Sequence, residues 1–280
     1  MGYTTLISVT DLASNLGNPR LVIFDCRHEL TDQDFGARAY AESHLPNARF
    51  AQVDRDLSGT PTGRNGRHPL PAPEIFAAWL GDMGVNSDSQ VVGYDSAGGT
   101  YAARLWWMLR WLGHDRVAVL NGGWDAWVNA GGPVTQEVPQ PKRTRFAARP
   151  RAMAAVTVTY VAAHLNKPGM TLIDARSNAR YHGRNETVDP IGGHIPGALN
   201  HFYKDNLDEQ GMFRPADELR DAFVRLIGNS PGEQVIHQCG SGVSACHNLL
   251  AMEIAGLKGS RLYPGSWSEW IADRSRPIAT

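Results

Sequence analysis

The sequence predicts an α/β fold in two tandem domains, each with a parallel sheet flanked by helices. Two observations support this fold class. Apolar strand-like runs alternate with segments of helical periodicity, and four sequence blocks recur in the same order in the two halves. A chain of 280 residues is long enough for two domains that each bury a core.

The strand assignments rest on short apolar runs that end in polar residues, as parallel strands buried on both faces do. One run covers residues 21–25 and ends at Asp25, and its repeat at residues 171–174 ends at Asp174. Two further runs, at residues 90–94 and 234–238, lead to Asp95 and Cys239. Helical periodicity follows at residues 102–112, 218–226 and 245–257.

The repeat extends beyond the strands. The segment His44-Leu-Pro-Asn-Ala48 matches His194-Ile-Pro-Gly-Ala198, and residues 120–127 match residues 262–270 with one insertion. Chance would not keep both order and spacing, so we interpret the pattern as a duplication. The predicted first domain covers residues 1–132, a linker rich in proline and arginine covers 133–155, and the second domain covers 156–280.

Composition and charge argue against several classes of protein. With a net charge of −1, the protein as a whole has no electrostatic attraction to nucleic acid or anionic lipid. The basic residues of the linker are not interleaved with aromatic residues, so we expect a solvated connector there rather than a nucleic-acid site. No stretch approaches the ~18 apolar residues of a membrane span, and the N-terminal residues lack a signal-peptide pattern.

The number and spacing of the cysteines and histidines favour a reducing compartment and give no pattern of metal ligands. Three cysteines are an odd number without framework spacing, which favours a reducing compartment, and we expect a cytoplasmic protein. Ten histidines are scattered without the spacing of a ligand cluster, so no metal site is predicted.

Cys239 is the strongest candidate for chemistry, because it lies where a strand ends and a helix begins. Gly240 and Gly242 allow the backbone to curl so that successive N–H groups point inward, which adds to the positive helix N-terminus. Such surroundings favour the thiolate, the nucleophilic form of cysteine. A buried structural cysteine is the alternative, and the glycine loop favours chemistry. The first half has Asp95 at this position and therefore cannot carry out thiol chemistry there.

These residues resemble the tandem-domain rhodanese-like sulfurtransferases, in which a degenerate, non-catalytic first domain precedes a catalytic second one. The resemblance covers nearly the whole chain. Its marks are Cys239-Gly-Ser-Gly-Val-Ser-Ala245, the two His-(Leu/Ile)-Pro-x-Ala segments and Gly265-Ser-Trp-Ser-Glu-Trp270. Within the family, this loop is similar to that of 3-mercaptopyruvate sulfurtransferases, with Ser244 in place of a threonine. Thiosulfate enzymes commonly carry Arg-Lys after the cysteine.

The resemblance also implies the remaining site residues. It implies that Asp54, His68 and Ser241 form a proton-handling group beside the Cys239 nucleophile. The implied substrate-binding residues are Arg180, Gly240, Gly242, Val243 and Ser244. Without the resemblance, His68 would be interpreted as an ordinary loop histidine and Arg180 as a surface arginine.

In one respect the sequence departs from the family pattern. The mercaptopyruvate enzymes carry a second arginine before the Gly-His-Ile-Pro segment, and residues 186–193 contain none. Arg184, in the preceding turn, is a candidate replacement.

The implied reaction is sulfur transfer without a cofactor. The Cys239 thiolate attacks the sulfur of 3-mercaptopyruvate, leaving pyruvate and a persulfide. A thiol such as thioredoxin or glutathione, or cyanide, then removes the outer sulfur. Thiosulfate is the alternative donor. A cysteine-dependent phosphatase is an alternative from another class, but it requires an arginine six positions after the cysteine to clamp the phosphate, and this chain has Ala245 there.

Overall fold

The computed structural model describes residues 2–280, which form two compact units. The first unit consists of the residues up to Gly59, Pro71–Arg151 and Glu209–Met212. The second consists of Thr60–Leu70, Ala152–Asp208 and Phe213–Thr280. The second unit therefore includes an eleven-residue segment from the N-terminal half of the sequence, Thr60–Leu70, which we call the 60–70 segment.

The first unit is built on a parallel sheet in the order β1-β5-β4-β2-β3. Its strands are β1 (Leu6–Ile7), β2 (Leu21–Asp25), β3 (Ala48–Phe50), β4 (Gln90–Tyr94) and β5 (Val117–Leu120). Its helices are α1 (Val9–Asn15), α2 (Phe35–Glu42), α3 (Pro73–Asp82), α4 (Thr100–Trp111) and α5 (Gly123–Asn129). The central strand β4 is apolar throughout its buried length, as a strand covered on both faces must be.

The second unit repeats this plan with a parallel sheet in the order β7-β6-β8-β9. Its strands are β6 (Thr171–Asp174), β7 (Leu199–Asn200), β8 (Val235–Gln238) and β9 (Arg261–Leu262). Its α-helices are α6 (Val158–His164), α7 (Asn178–Tyr181), α8 (Ala216–Ile227), α9 (Ala245–Ile254) and α10 (Ser266–Trp270). Three short 3₁₀ helices complete it: Ala152–Ala154, Tyr203–Asn206 and Gly232–Gln234.

The repeated sequence blocks fold alike in the two units. The strand order β3-β2-β4-β5 in the first corresponds to β7-β6-β8-β9 in the second. His44 stacks on Tyr40 with ring centroids 3.9 Å apart, and its counterpart His194 stacks on Tyr181 at 3.7 Å. The conserved geometry places Asp95 after β4 and Cys239 after β8, at the carboxyl ends of equivalent central strands, where α/β sheets bind ligands.

The structure differs from the predicted elements mainly at their ends. The predicted helices at 102–112 and 218–226 begin two residues earlier, as α4 and α8. Helix α9 ends at Ile254 instead of extending to 257, because Gly256 takes the left-handed conformation (φ 75°). Residues 133–151 of the predicted linker are held on the first unit, where the Thr144 N–H donates to the Gly81 carbonyl at 2.9 Å. Within residues 2–280, no helix has both the length and the apolar character needed to cross a membrane.

Candidate active site

Cys239 follows the last residue of β8 and opens the loop of residues 239–244, which we call the Cys239 loop. The side chain is 2 % exposed, and the Gly242 N–H donates to its Sγ at 3.1 Å. Gly242 has a φ of 79°, and a Cβ there would collide with the Pro264 carbonyl, so only glycine fits. This backbone donor stabilises negative charge on the sulfur.

The equivalent loop of the first unit shows how many donors such a turn directs at an anion. Both carboxylate oxygens of Asp95 accept hydrogen bonds, at distances from 2.7 to 2.9 Å. The four donors are the N–H groups of Ala97, Gly99, Tyr101 and Ala102. The first unit therefore contains an anion-binding nest that the protein's own carboxylate occupies, at the position equivalent to the Cys239 loop, for which the sequence predicts such a nest.

Ser241 and His68 form a buried pair in the second unit. Oγ of Ser241 lies 2.7 Å from Nδ1 of His68, and both residues are 6 % exposed. The 60–70 segment brings His68 to this position, and the Arg67 N–H holds the segment by donating to Oγ of Ser268 at 3.1 Å. A serine–histidine pair next to a nucleophile can transfer a proton to or from a reacting group.

Two guanidinium groups lie beside Gly240, and we call Arg67 and Arg180 the arginine pair. A Cβ added to Gly240 would lie 2.8 Å from Nη2 of Arg67 and 3.7 Å from Nη2 of Arg180. Arg180 is on α7, and Arg67 comes from the 60–70 segment. The arginine pair therefore presents positive charge next to the residue that follows Cys239.

Two carboxylates hold the arginine pair in place. Asp189 forms ion pairs with Arg67 and, at 2.8 Å, with Arg180. Glu186 accepts from Nε of Arg180 at 2.9 Å and from the N–H groups of Val188 and Asp189. Burial raises the pKa of Asp189, and the two arginines partly offset that shift. Burial also favours the neutral form of Glu186, but its hydrogen bonds with Arg180 and the backbone hold its pKa below the usual value.

The other predicted site residues have simpler surroundings. Val243 and Ser244 complete the turn into α9, where their carbonyls accept the N–H groups of Cys246 and His247. Arg184 is exposed, and the guanidinium that joins Arg180 beside Gly240 is that of Arg67. Asp54 belongs to the first unit, where Oδ2 lies 4.0 Å from Nδ1 of His28. Its participation with His68 stays a prediction.

Sequence reasoning missed Arg67, Asp189 and Ser266. Oγ of Ser266 accepts the Cys239 N–H at 3.1 Å and donates to the Tyr263 carbonyl, with Ser266 itself in the left-handed region (φ 55°). A signal existed for Arg67, because it directly precedes His68. Asp189 lies within residues 186–193, the stretch in which the family pattern has a second arginine, and nothing else in the sequence marks it.

The other two cysteines, Cys26 and Cys246, are also buried. Burial, followed by the nearby carboxylates Asp95 and Asp25, raises the pKa of Cys26 well above its usual value, which keeps the thiol neutral. Sγ of Cys246 donates to the Gly242 carbonyl at 3.4 Å. Among residues 2–280, no three His, Cys, Asp or Glu side chains are grouped as ligands for a metal ion.

Comparison with known proteins agrees with this geometry. A family model described as a rhodanese-like domain matches the chain twice, at residues 8–130 and 157–273. A probable 3-mercaptopyruvate sulfurtransferase of Pseudomonas aeruginosa is 44 % identical over 100 % of this chain and 99 % of its own length. The thiosulfate sulfurtransferase of Rattus norvegicus is 33 % identical over 96 % of this chain and 92 % of its own.

Solved structures give the same result. The 3-mercaptopyruvate sulfurtransferase from Leishmania major superposes with a TM-score of 0.85 at 31 % identity, over 95 % of this chain and 74 % of that one. The crystal structure of the 3-mercaptopyruvate enzyme from Escherichia coli gives a TM-score of 0.82 at 32 % identity, over 95 % and 99 % of the two chains. Both similarities extend over the two units.

Proposed function

Because this chain belongs to the rhodanese-like family, with two such domains, and is a sulfurtransferase, we propose that its sulfur donor is 3-mercaptopyruvate and its sulfur carrier is Cys239. The observation that carries the proposal is the composition of the second unit's site. The sulfur of Cys239, with its backbone donor, lies in the same loop as Ser241, whose hydroxyl pairs with His68, and beside two arginines.

In the first step, the Cys239 thiolate attacks the donor's sulfur. A sulfur–sulfur bond forms, the sulfur–carbon bond breaks, and its electron pair goes to the carbon, giving the enolate of pyruvate. The arginine pair holds the donor carboxylate by charge-assisted hydrogen bonds. Ser241, backed by His68, supplies the proton that converts the enolate to pyruvate.

In the second step, an acceptor removes the outer sulfur. A thiolate, such as that of thioredoxin or glutathione, or cyanide attacks the terminal sulfur of the persulfide, and the electron pair of the sulfur–sulfur bond returns to Cys239. The Gly242 N–H stabilises the negative charge on Cys239 before the first step and again after the second. We assign the protein to the cytoplasm, where thiol acceptors are abundant and its three buried thiols stay reduced.

Thiosulfate is the second candidate donor, because a thiosulfate sulfurtransferase is 33 % identical to the chain and the arginine pair also suits a sulfonate. The deciding experiment measures kcat/KM for both donors on one preparation and locates the added sulfur by mass spectrometry. We expect a higher kcat/KM with mercaptopyruvate and 32 Da more on the peptide containing Cys239, an increase of one sulfur atom. Transfer by Cys239→Ser, or sulfur on Cys26 or Cys246, would contradict the mechanism.

A further inference from the structure

We propose that Asp189 selects donors by charge, so that the site accepts singly charged donors and disfavours doubly charged ones. The inference rests on the proposed function of the Cys239 loop and names a specificity-determining residue for it. Asp189 reaches both members of the arginine pair, and its side chain has no exposed surface. It is therefore a fixed part of the site and not a solvated neighbour.

Apart from the Cys239 thiolate itself, the charges around Gly240 are already balanced before a donor arrives. The arginine pair contributes two positive charges, and Asp189 and Glu186 contribute two negative charges. A third arginine, Arg176, pairs with Asp174 at 2.6 Å and with Glu186 at 3.8 Å. Counting Arg176 together with Asp174 adds one positive and one negative charge, so the balance is unchanged. An entering anion thus finds hydrogen-bond donors but no excess positive charge.

The absence of excess positive charge affects singly and doubly charged donors differently. A monocarboxylate such as mercaptopyruvate brings one charge, which the remaining N–H groups of the arginine pair and the loop can solvate. Thiosulfate brings two charges on a compact group, and the same N–H groups must stabilise both of them without an excess cation. The cost of removing a dianion from water exceeds that of a monoanion, so the balanced site favours mercaptopyruvate.

The contacts of Asp189 leave some N–H groups of the arginine pair available to bind the donor. Its two oxygens bind Nη1 of Arg67 and Nη2 of Arg180. Nε of Arg67 is buried without a hydrogen-bond partner among residues 2–280, and Nη2 of Arg67 is the group beside Gly240. The carboxylate therefore orients the guanidinium groups while it neutralises part of their charge.

The test uses Asp189→Asn in the full-length protein, because an amide has nearly the shape of the carboxylate without its charge. The measured quantity is the ratio of kcat/KM for thiosulfate to kcat/KM for mercaptopyruvate. We expect this ratio to rise about tenfold or more, a change of about 1.4 kcal/mol in relative transition-state binding. Asp273→Asn, which removes an exposed carboxylate of the same unit, is the control for net charge and should leave the ratio unchanged.

Two companion variants separate charge from shape. Arg67→Gln should lower the ratio, because it removes a positive charge and leaves Asp189 in place. Arg67→Gln combined with Asp189→Asn restores the balance and should return the ratio close to that of the wild type. A structural role for Asp189 predicts the opposite for the double variant, a further loss with both donors. Equal loss with both donors in every variant would overturn the proposal.

A binding assay that needs no turnover tests the charge proposal separately from the proposed function. An anion bound beside Cys239 should slow its alkylation by iodoacetamide, so protection by pyruvate and by sulfate would report monoanion and dianion binding without turnover. We expect Asp189→Asn to strengthen protection by sulfate about tenfold and to change protection by pyruvate less. Unchanged sulfate protection would overturn the charge proposal. A wild type inactive with both donors would overturn the proposed function and leave this assay valid.

Discussion

Ser241 and His68 are the residues whose roles depend most on which bond is broken. In the proposed reaction, the carbon must receive a proton when the sulfur–carbon bond of mercaptopyruvate breaks, and we expect the Ser241–His68 pair, 2.7 Å apart, to deliver it. When the sulfur–sulfur bond of thiosulfate breaks, sulfite leaves as an anion and needs no proton. The same hydroxyl should therefore matter for one donor and not for the other.

Ser241→Ala should lower kcat with mercaptopyruvate by about a hundredfold, the lower range for loss of a general acid, and kcat with thiosulfate much less. Ser230→Ala is a matched control, because Ser230 bonds Thr171 at 3.0 Å in the same unit and belongs to no part of the site. Steady-state rates with both donors provide the measurement. Equal slowing with the two donors would show that Ser241 positions the loop and does not deliver the proton.

At the scale of elements, the 60–70 segment carries two site residues although it forms no helix or strand. Gly66 in this segment has a φ of 85°, and an added Cβ would lie 2.7 Å from the Gly265 carbonyl oxygen. Because that neighbour is backbone, it cannot move aside as a flexible side chain would. The close approach at Gly66 therefore fixes the positions of Arg67 and His68, which follow it.

Gly66→Ala should displace the segment and lower kcat/KM with mercaptopyruvate about tenfold or more, because misplaced catalytic groups lose much of their effect. Gly63→Ala is the control: Gly63 has a similar φ of 78°, and no atom lies within 4 Å of its added Cβ. Gly63→Ala should lose about 1 kcal/mol of stability through backbone strain and keep its activity, whereas Gly66→Ala should lose more stability and also lose activity. Equal activities in the two variants would contradict this role for the segment.

At the scale of the whole molecule, several histidines are buried in the neutral form. Burial lowers the pKa of His237 from 6.5 to about 3, with a smaller effect of His201 in the same direction. Burial also lowers the pKa values of His114, His194 and His201. Below pH 6.5 the unfolded chain therefore binds protons that the folded protein excludes.

The free energy of unfolding should consequently be highest above pH 6.5 and fall as the pH drops toward 3. Between pH 7 and about pH 5, His237 alone should account for a loss of about 2 kcal/mol. Urea unfolding at the two pH values measures it, and His237→Phe should remove that part of the difference. The same pH dependence in His237→Phe would show that other groups control acid stability.

Features formed by one contiguous stretch of sequence could be predicted, whereas contacts between residues far apart in the chain could not. Strands β2, β4, β6 and β8 were predictable because a parallel strand buried on both faces is a continuous apolar run. Cys239 was predictable because its loop is one contiguous stretch between strand and helix. The contact between Arg67 and Asp189 was not, because 122 residues separate them and each is a common surface residue type. Only the path of the 60–70 segment brings them together.

The carboxylate of Asp95 accepts hydrogen bonds from four N–H groups and so occupies the anion-binding position of its own loop, as a bound inhibitor would. Its attachment removes the entropy cost of binding, so the loop is permanently filled and needs no ligand to be stable. The same exchange should work in the second unit. Cys239→Asp should be inactive and should melt a few degrees higher than Cys239→Ser, since about 1 kcal/mol from the added hydrogen bonds corresponds to about 3 °C. One substitution can therefore end catalysis in a duplicated domain while strengthening the scaffold that it leaves behind.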